Sequence, residues 1–463
     1  MHFQRSSFAR RALVINPWAT DFKLYDEWMH PTGLYALISL LRHNGWQVDF
    51  INCLDRGPYQ RTKKYSTGEF PWIEQTAPAP LRAIPRRYKR YGIAAAELHQ
   101  RLARLPRPDI VFLGSGMTYW IEGLAETLAA VERVMPGSRV VIGGIAATLM
   151  PDLLRMRFPR AIIHSGSLWD AAGAFEPVPG LILHTAGWRQ SMVPAFELLH
   201  TAHHGPAILT LGCPHSCTYC ASKRLQPRAW FRDPALVADE IGFLVRQFGC
   251  TDFAFCDDAL LYWAREALFV LLDHVTRRFP GIRFHAPNGL HLRWLDREVA
   301  QRMVAAGCKT FRFGYESGRP EHARDTSSKA GRNQAAEKAA LLRRIRDCSC
   351  DVGIYVMAGL PGQSRDQVIE DMRFIGSLGV KVKPVFLSPV PGSALFEEYA
   401  RMIPGLRGDP HLHNDTFFIT LLPGWSWTAV EEIRAIAREL NNARVAPASN
   451  GQSRAGSARR APR

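Results

Sequence analysis

The chain has 463 residues, of which 47% are hydrophobic and 22% charged, and its formal net charge is +16. That length and composition suit two or three globular domains with sizeable cores, and nine cysteines in such a chain exclude a disulfide scaffold. No run approaches the ~18 apolar residues of a bilayer span, and the N-terminus lacks an apolar signal core, so the expectation is a cytosolic protein without membrane partners.

In chain order, Ala12 to Asn16 reads as an apolar strand, Leu34 to Leu41 as an amphipathic helix closed by Asn44-Gly45, and Val48 to Asn52 as a second strand. A polar insertion over 56–92 follows. Strands are expected at Asp109 to Gly114, Arg139 to Ile142 and Ala161 to His164, with a helix from Ile121 to Val134. This alternation implies a doubly wound, Rossmann-like α/β domain over 9–170, with ligand groups at the carboxyl ends of its strands. After a linker over 171–202, the alternation restarts. Six strand–helix units are expected over 203–395, with strands at Ala207 to Gly212, Phe253 to Asp258, Arg283 to Asn288, Thr310 to Glu316, Val352 to Gly359 and Val380 to Pro389. A short helical extension (396–445) and a basic Arg/Ser/Gly/Ala tail (446–463), expected to be disordered, complete the chain.

The first strand of the second domain delivers Cys213, Cys217 and Cys220 in a CxxxCxxC stretch, Gly212-Cys-Pro-His-Ser-Cys-Thr-Tyr-Cys220. Three thiolates are one short of the four that close a structural zinc site or an ordinary iron–sulfur cluster. A 4Fe–4S cluster held here keeps one iron open to a small molecule. No second Cys or His pair follows that would complete a zinc ribbon.

This triplet, with an aromatic residue before its last cysteine, resembles the radical S-adenosylmethionine (radical SAM) superfamily. Pro31-Thr32-Gly33-Leu34, Ser115-Gly116-Met117-Thr118 and Gly143-Gly144 resemble the cobalamin-binding domain that precedes many such barrels. The fold so implied is a Rossmann-like domain followed by a partial (β/α)6 TIM barrel. The resemblance implies a 4Fe–4S cluster on the three cysteines and reductive cleavage of S-adenosylmethionine to a 5′-deoxyadenosyl radical. It assigns S-adenosylmethionine contacts to Tyr219, to Glu316 and Ser317 of Gly-Tyr-Glu-Ser, and to Gly359, Pro361 and Gly362 of the turn after strand five. It assigns cobalamin contacts to Ser115, Met117, Thr118, Gly143 and Gly144. The cobalamin motif Asp-x-His-x-x-Gly is incomplete: Trp28 stands at the aspartate position before His30, and nothing nearby in sequence orients that imidazole.

The remaining strand ends supply Asp257, Asp258 and Asn288 as catalytic or substrate-binding candidates. The adjacent carboxylates could equally cap the next helix. Arg312 is expected to face the barrel interior near Tyr315, with Glu316 or Asp258 as its carboxylate. The implied function is radical SAM catalysis on a small molecule, with cobalamin-dependent methyl transfer to an unactivated carbon. The alternatives are a cobalamin-independent oxidoreductase or cyclase, and an RNA-modifying enzyme. The RNA reading rests on Pro85-Arg86-Arg87-Tyr88-Lys89-Arg90-Tyr91, a segment that a seam between domains would equally explain. The intact motif set argues against a binding protein without catalysis. A flavodoxin- or ferredoxin-type electron donor is the implied partner.

Overall fold

A computed structural model describes residues 10–57, 62–171, 173–188, 192–199, 204–322 and 331–443; the basic tail and part of the linker lie outside these. The N-terminal sheet contains β1 (Arg11–Asn16), β3 (Gln47–Asn52), β6 (Ile110–Ser115), β7 (Val140–Gly144) and β8 (Ile162–Ile163), in the order β3-β1-β6-β7-β8. All pairs are parallel. The order reverses between β1 and β6, and that switch point is where a doubly wound sheet opens a ligand crevice. Helices α1 (Thr32–His43), α2 (Ala95–Arg104) and α3 (Ile121–Val134) cover the sheet, and α4 (Ile145–Leu149) and α5 (Pro151–Arg157) follow β7.

The insertion is structured. β2 (Ala19–Asp21), β4 (Trp72–Gln75) and β5 (Tyr88–Tyr91) form a small antiparallel sheet with β5 central. Its basic residues are engaged within the protein. Arg90 pairs with Glu126 at 2.8 Å and lies 4.2 Å from the Trp18 ring centroid. Arg86 pairs with Glu431 at 3.1 Å, and Lys89 sits over Trp72. This favours the seam explanation over an RNA surface.

A hairpin, β9 (Ala174–Val178) and β10 (Leu181–His184), leads toward the second domain. The barrel sheet runs β11 (Gly205–Ala207), β14 (Asp252–Phe255), β15 (Arg283–His291), β16 (Cys308–Glu316), β17 (Asp351–Ala358) and β18 (Lys381–Phe386). These are parallel and in sequential order, the arrangement of a partial (β/α)6 barrel. The first strand ends earlier than the pattern predicts. At Ile208 the chain leaves the sheet, because the Ile208 carbonyl accepts from Arg232 Nη1 and the Leu209 carbonyl from Arg232 N. A second short strand, β12 (Thr210–Leu211), then pairs antiparallel with β13 (Trp230–Phe231). Arg232 is itself buried against Glu240.

Local signals set the helix starts. After α6 (Ser222–Leu225), Asp233 caps α7 (Pro234–Phe248), which ends at Gly249 with φ 65°. The next helix begins with a π turn before α8 (Phe269–Arg278). Asp296 caps α9 (Arg297–Ala305), α10 spans Arg332–Asp347, and a Ser364/Gln367 capping box opens α11 (Arg365–Ser377). The extension adds α12 (Ala394–Met402), α13 (Asp415–Phe418) and α14 (Trp427–Ala443). Among the described residues no helix is long and apolar enough to cross a membrane.

The extension fastens the two domains together. Asn414 Nδ2 and Trp120 Nε1 both donate to Asp21, each at 3.1 Å. Burial and the nearby charge of Asp415 push the Asp21 carboxyl up to about 7. A carboxyl raised on folding favours the folded state while protonated. Stability is therefore highest below the unfolded carboxylate range (~4) and falls as pH rises through 7. Asp415→Asn removes the repelling charge. The loss of stability between pH 5 and pH 8, read from thermal melts, should shrink by about 1 kcal/mol; an unchanged pH slope would show that the pair does not couple.

Candidate active site

The thiol loop grows out of the strand exit. Gly212 turns with φ 74°, and a Cβ there would lie 2.4 Å from the Arg228 carbonyl oxygen, so the approach of that backbone requires glycine. Cys213 is half-buried, Cys217 buried and Cys220 exposed, and none of the three is in a disulfide. Cys220 N donates to Cys217 O at 3.1 Å, and Leu395 N at the start of α12 donates to Thr218 O at 2.9 Å, which ties the loop to the end of the barrel. Burial pushes the Cys213 thiol up to about 11, with smaller contributions from Asp258, Cys220 and Cys217, so the thiols lie within electrostatic reach of one another. Among the described residues no three His, Cys, Asp or Glu side chains converge tightly enough for a single ion. Three soft thiolates on one loop are the donor set of a cluster whose corners are spread apart, and the residues fit that group.

Opposite the loop lies the end of β16. Tyr219 Oη donates to Glu316 Oε1 at 3.2 Å. Glu316 is buried and has φ 64°, and Ser317 N donates back to Tyr315 O at 2.9 Å. A left-handed non-glycine residue inside a tight three-residue turn is strained, by about 1–3 kcal/mol, and persists only where its surroundings enforce it. The enforcing group is Asp371, wholly buried on α11. Its Oδ1 accepts from Tyr315 Oη and Arg332 Nη2, and its Oδ2 from Ser317 Oγ and Gly318 N, at 3.0–3.4 Å. Ser317 also bonds His322 Nδ1 at 2.9 Å. The Ser317 hydroxyl therefore braces the turn, while Glu316 faces the thiol loop. Asp371 was not singled out from sequence, although a carboxylate among Val368, Ile369, Met372 and Ile375, all on the buried side of α11, was a readable signal.

The turn after β17 is closed on itself. Gly359 N and Leu360 N donate to Gln363 Oε1, and Tyr399 Oη donates to Gly359 O at 2.6 Å. Pro361 O is bonded to His322 Nε2 at 3.1 Å. A Cβ on Gly359 would meet Ile419, whereas one on Gly362 would meet open space. Gly362, more than Gly359, is left facing outward.

At the second strand end, Asp257 is buried and accepts from Thr210 N, which pins β12 at the thiol loop; burial pushes its carboxyl up to about 7. Asp258 is exposed. Neither caps the helix that follows. Asn288 Nδ2 donates to Asp257 O at 3.2 Å. Cys256 is a neutral thiol, pushed up to about 12 by burial. His291 lies against His215 of the thiol loop, with ring centroids 4.4 Å apart and the planes tilted by 35°. The expected partner of Arg312 is corrected. The guanidinium pairs with Asp351 at 2.7 Å, at the opposite end of the neighbouring strand, and not with Glu316 or Asp258. Tyr315, expected beside Arg312, points the other way, into the helix layer, with its ring 6.0 Å from Phe374, because alternate residues of a strand face opposite sides.

The Rossmann strand ends meet the same mouth. α4 packs against α6, the helix next to Cys220, and Thr118 Oγ1 bonds His413 Nδ1 at 3.1 Å, while Ser388 at the end of β18 donates to His413 O. Ser115 Oγ donates to Gly143 O and accepts from Ala147 N, so Ser115 and Thr118 join elements together. Gly144, at φ 101°, has Ser115 backbone where a Cβ would stand. Gly143 faces open space, beside exposed Met117 and Ile145. Beside a small cleft at Asn16, Gly114, Gly116 and Met117, this ledge offers small-residue backbone and apolar side chains to a broad, partly apolar ligand. The expectation that nothing orients His30 is also corrected. His30 Nε2 bonds His204 Nδ1 at 2.8 Å, and His204 Nε2 bonds Asp26 Oδ2 at 2.9 Å. A partner 174 positions away was not legible from local spacing.

Residues 207–375 match the family model described as the radical SAM superfamily. No curated protein matches the chain. Among solved structures, it is similar to the radical S-adenosylmethionine methyltransferase TsrM from Kitasatospora setae with cobalamin and a [4Fe-4S] cluster bound, at 17% identity and TM-score 0.62 over 92% of this chain and 91% of that one. The same enzyme with tryptophan substrate and the analogue aza-SAM gives 16% identity and TM-score 0.60 over 92% and 89%. The cobalamin-dependent S-adenosylmethionine radical enzyme OxsB with aqua-cobalamin gives 13% identity and TM-score 0.55, over 93% of this chain and 62% of that one. The chain therefore carries a radical SAM domain at 207–375 behind an N-terminal Rossmann-like domain, in the fold that TsrM and OxsB share.

Proposed function

We propose that the protein is a radical SAM enzyme that binds a 4Fe–4S cluster on Cys213, Cys217 and Cys220, and cobalamin on the Gly143–Met117–Ile145 ledge, and methylates a small molecule at the barrel mouth. The observation that carries this reading is the placement of the Rossmann strand ends against the thiol loop, through α4 on α6. That contact lets one ligand on the ledge and another on the loop face a shared space. When bound, the reduced cluster supplies the electron that cleaves the sulfonium of S-adenosylmethionine, and cobalamin supplies a carrier for the methyl group. Glu316, held in its strained turn, offers a carboxylate to the ammonium or ribose hydroxyls of S-adenosylmethionine. Tyr219 holds that carboxylate toward the loop. The Gly359–Gly362 turn and the packed extension keep the mouth closed on the side of β17.

The test is anaerobic reconstitution with iron and sulfide, followed by gel filtration with hydroxocobalamin. The reading expects the corrin spectrum to travel with the protein, and Gly143→Trp, which fills the open ledge, to lower corrin retention at least about tenfold. Retention equal in the variant would move the corrin elsewhere. No retention with the cluster loaded would leave a cobalamin-independent radical enzyme.

A further inference from the structure

Side chains that lie in register on parallel neighbours share one face of the sheet. Four such rows line the barrel interior. His285, Thr310 and Asp351 form the first, and Arg312, Gly353 and Lys381 the second. Gly314, Tyr355 and Lys383 form the third, and Met357 and Val385 the fourth. The intervening residues, Phe311, Phe313, Ile354 and Val356, are fully buried on the other face. A closed βα barrel fills its interior with bulky branched side chains. Here the second and third rows carry glycine at 353 and 314 beside charged and phenolic groups, so this interior face is polar, and the Arg312 and Lys383 side chains lie over Gly353.

The charges in those rows are not evenly satisfied. Arg312 and Lys381 share Asp351, each at 2.7 Å. Among the described residues, Lys383, one row nearer the mouth, pairs only with the distant carboxylate of Glu27, at 3.8 Å, and keeps 30% of its side chain exposed. Glu27 comes from the N-terminal domain, in the loop whose Trp28 stacks on His285 at 4.3 Å. Burial, and then the charge of Arg312, lower the Lys383 pKa, with Glu27 and Asp351 acting the other way and Lys381 adding to the fall. Tyr355 commits its hydroxyl to Pro287 O at 2.8 Å, which leaves its ring as a wall beside the amine. A half-desolvated ammonium with a loose counter-ion, on the interior face of the barrel sheet, is a binding site for an anion.

We infer that Lys383 binds a carboxylate of the substrate inside the barrel, taking over from Glu27, so that the substrate stands along the Tyr355 ring with its reacting carbon toward the thiol loop. This names the substrate class for the function proposed above, and rests on that reading.

Trace acetylation of lysines with acetic anhydride, read by peptide mass spectrometry on the cluster-loaded protein, tests it. Sodium acetate, small enough to enter whatever the shape of the substrate's body, should slow labelling of Lys383 at least threefold relative to acetamide at equal ionic strength. Labelling of exposed lysines on the outer helices should not change. In Glu27→Gln, which removes the competing carboxylate, acetate should protect Lys383 at several-fold lower concentration. Equal protection by acetamide, no protection by acetate, or weaker protection in Glu27→Gln would each overturn the assignment. The readout is the amine itself, so it answers even if S-adenosylmethionine cleavage is not observed.

Discussion

Cys217→Ala protein, reconstituted anaerobically, is expected to hold no 4Fe–4S cluster and to form 5′-deoxyadenosine only at background. Cys217 is the buried member of the triplet. With it gone, two thiolates remain on the loop, Cys213 and Cys220. Two ligands do not hold a cubane against exchange with solvent and thiol reductants. Cys348→Ser is the control, because Cys348 is exposed at the far end of α10; its iron content and visible absorption should equal those of the unmodified protein. Equal iron in Cys217→Ala would remove the triplet from its assigned role.

Asp371→Ala is expected to have the second largest effect, although Asp371 touches no ligand in this account. The carboxylate accepts from Tyr315, Ser317, Gly318 and Arg332. Removing it leaves the buried donors of Tyr315, Ser317 and Gly318 short of an acceptor, while Arg332 keeps Glu370 at 2.9 Å, a cost of about 2–4 kcal/mol in folding stability. The strained Glu316 turn also loses the group that enforces it and relaxes, carrying the Glu316 carboxylate away from Tyr219. S-adenosylmethionine affinity of the cluster-loaded variant, measured well below its melting temperature, should fall at least about tenfold. A variant that melts earlier yet binds S-adenosylmethionine normally would make Asp371 a folding residue only. Asp371→Asn keeps the shape but has one oxygen fewer to accept with, and should lie between the two.

The division between what the sequence makes legible and what it hides follows the range of the interactions involved. The five parallel Rossmann strands and six barrel strands are readable because each is a short apolar run closed by glycine, proline or a cap such as Asp233 or Asp296. The early end of β11 is not, because Arg232 and Asp257 draw the chain out of the sheet from elsewhere in the fold. The antiparallel sheet of the insertion is hidden for a related reason: Tyr88 to Tyr91 reads as a basic surface until Trp18, Trp72 and Glu126 are seen to cover it. At the site, the thiol loop is legible from spacing, and Glu316 from the family resemblance of its Gly-Tyr-Glu-Ser stretch. Asp371, which braces the Glu316 turn, and His204, which orients His30, act across long sequence separations and carry no local motif.

The central claim is that the iron left free by the three cysteines is where S-adenosylmethionine binds. The most direct measurement is electron paramagnetic resonance of the dithionite-reduced, cluster-loaded protein, with and without S-adenosylmethionine carrying a 13C carboxyl group. The account predicts a changed spectrum on adding S-adenosylmethionine, with hyperfine coupling from the labelled carboxyl, and loss of both in Glu316→Ala at concentrations that saturate the unmodified protein. An identical spectrum with and without S-adenosylmethionine, on a protein holding its full complement of iron, would contradict it.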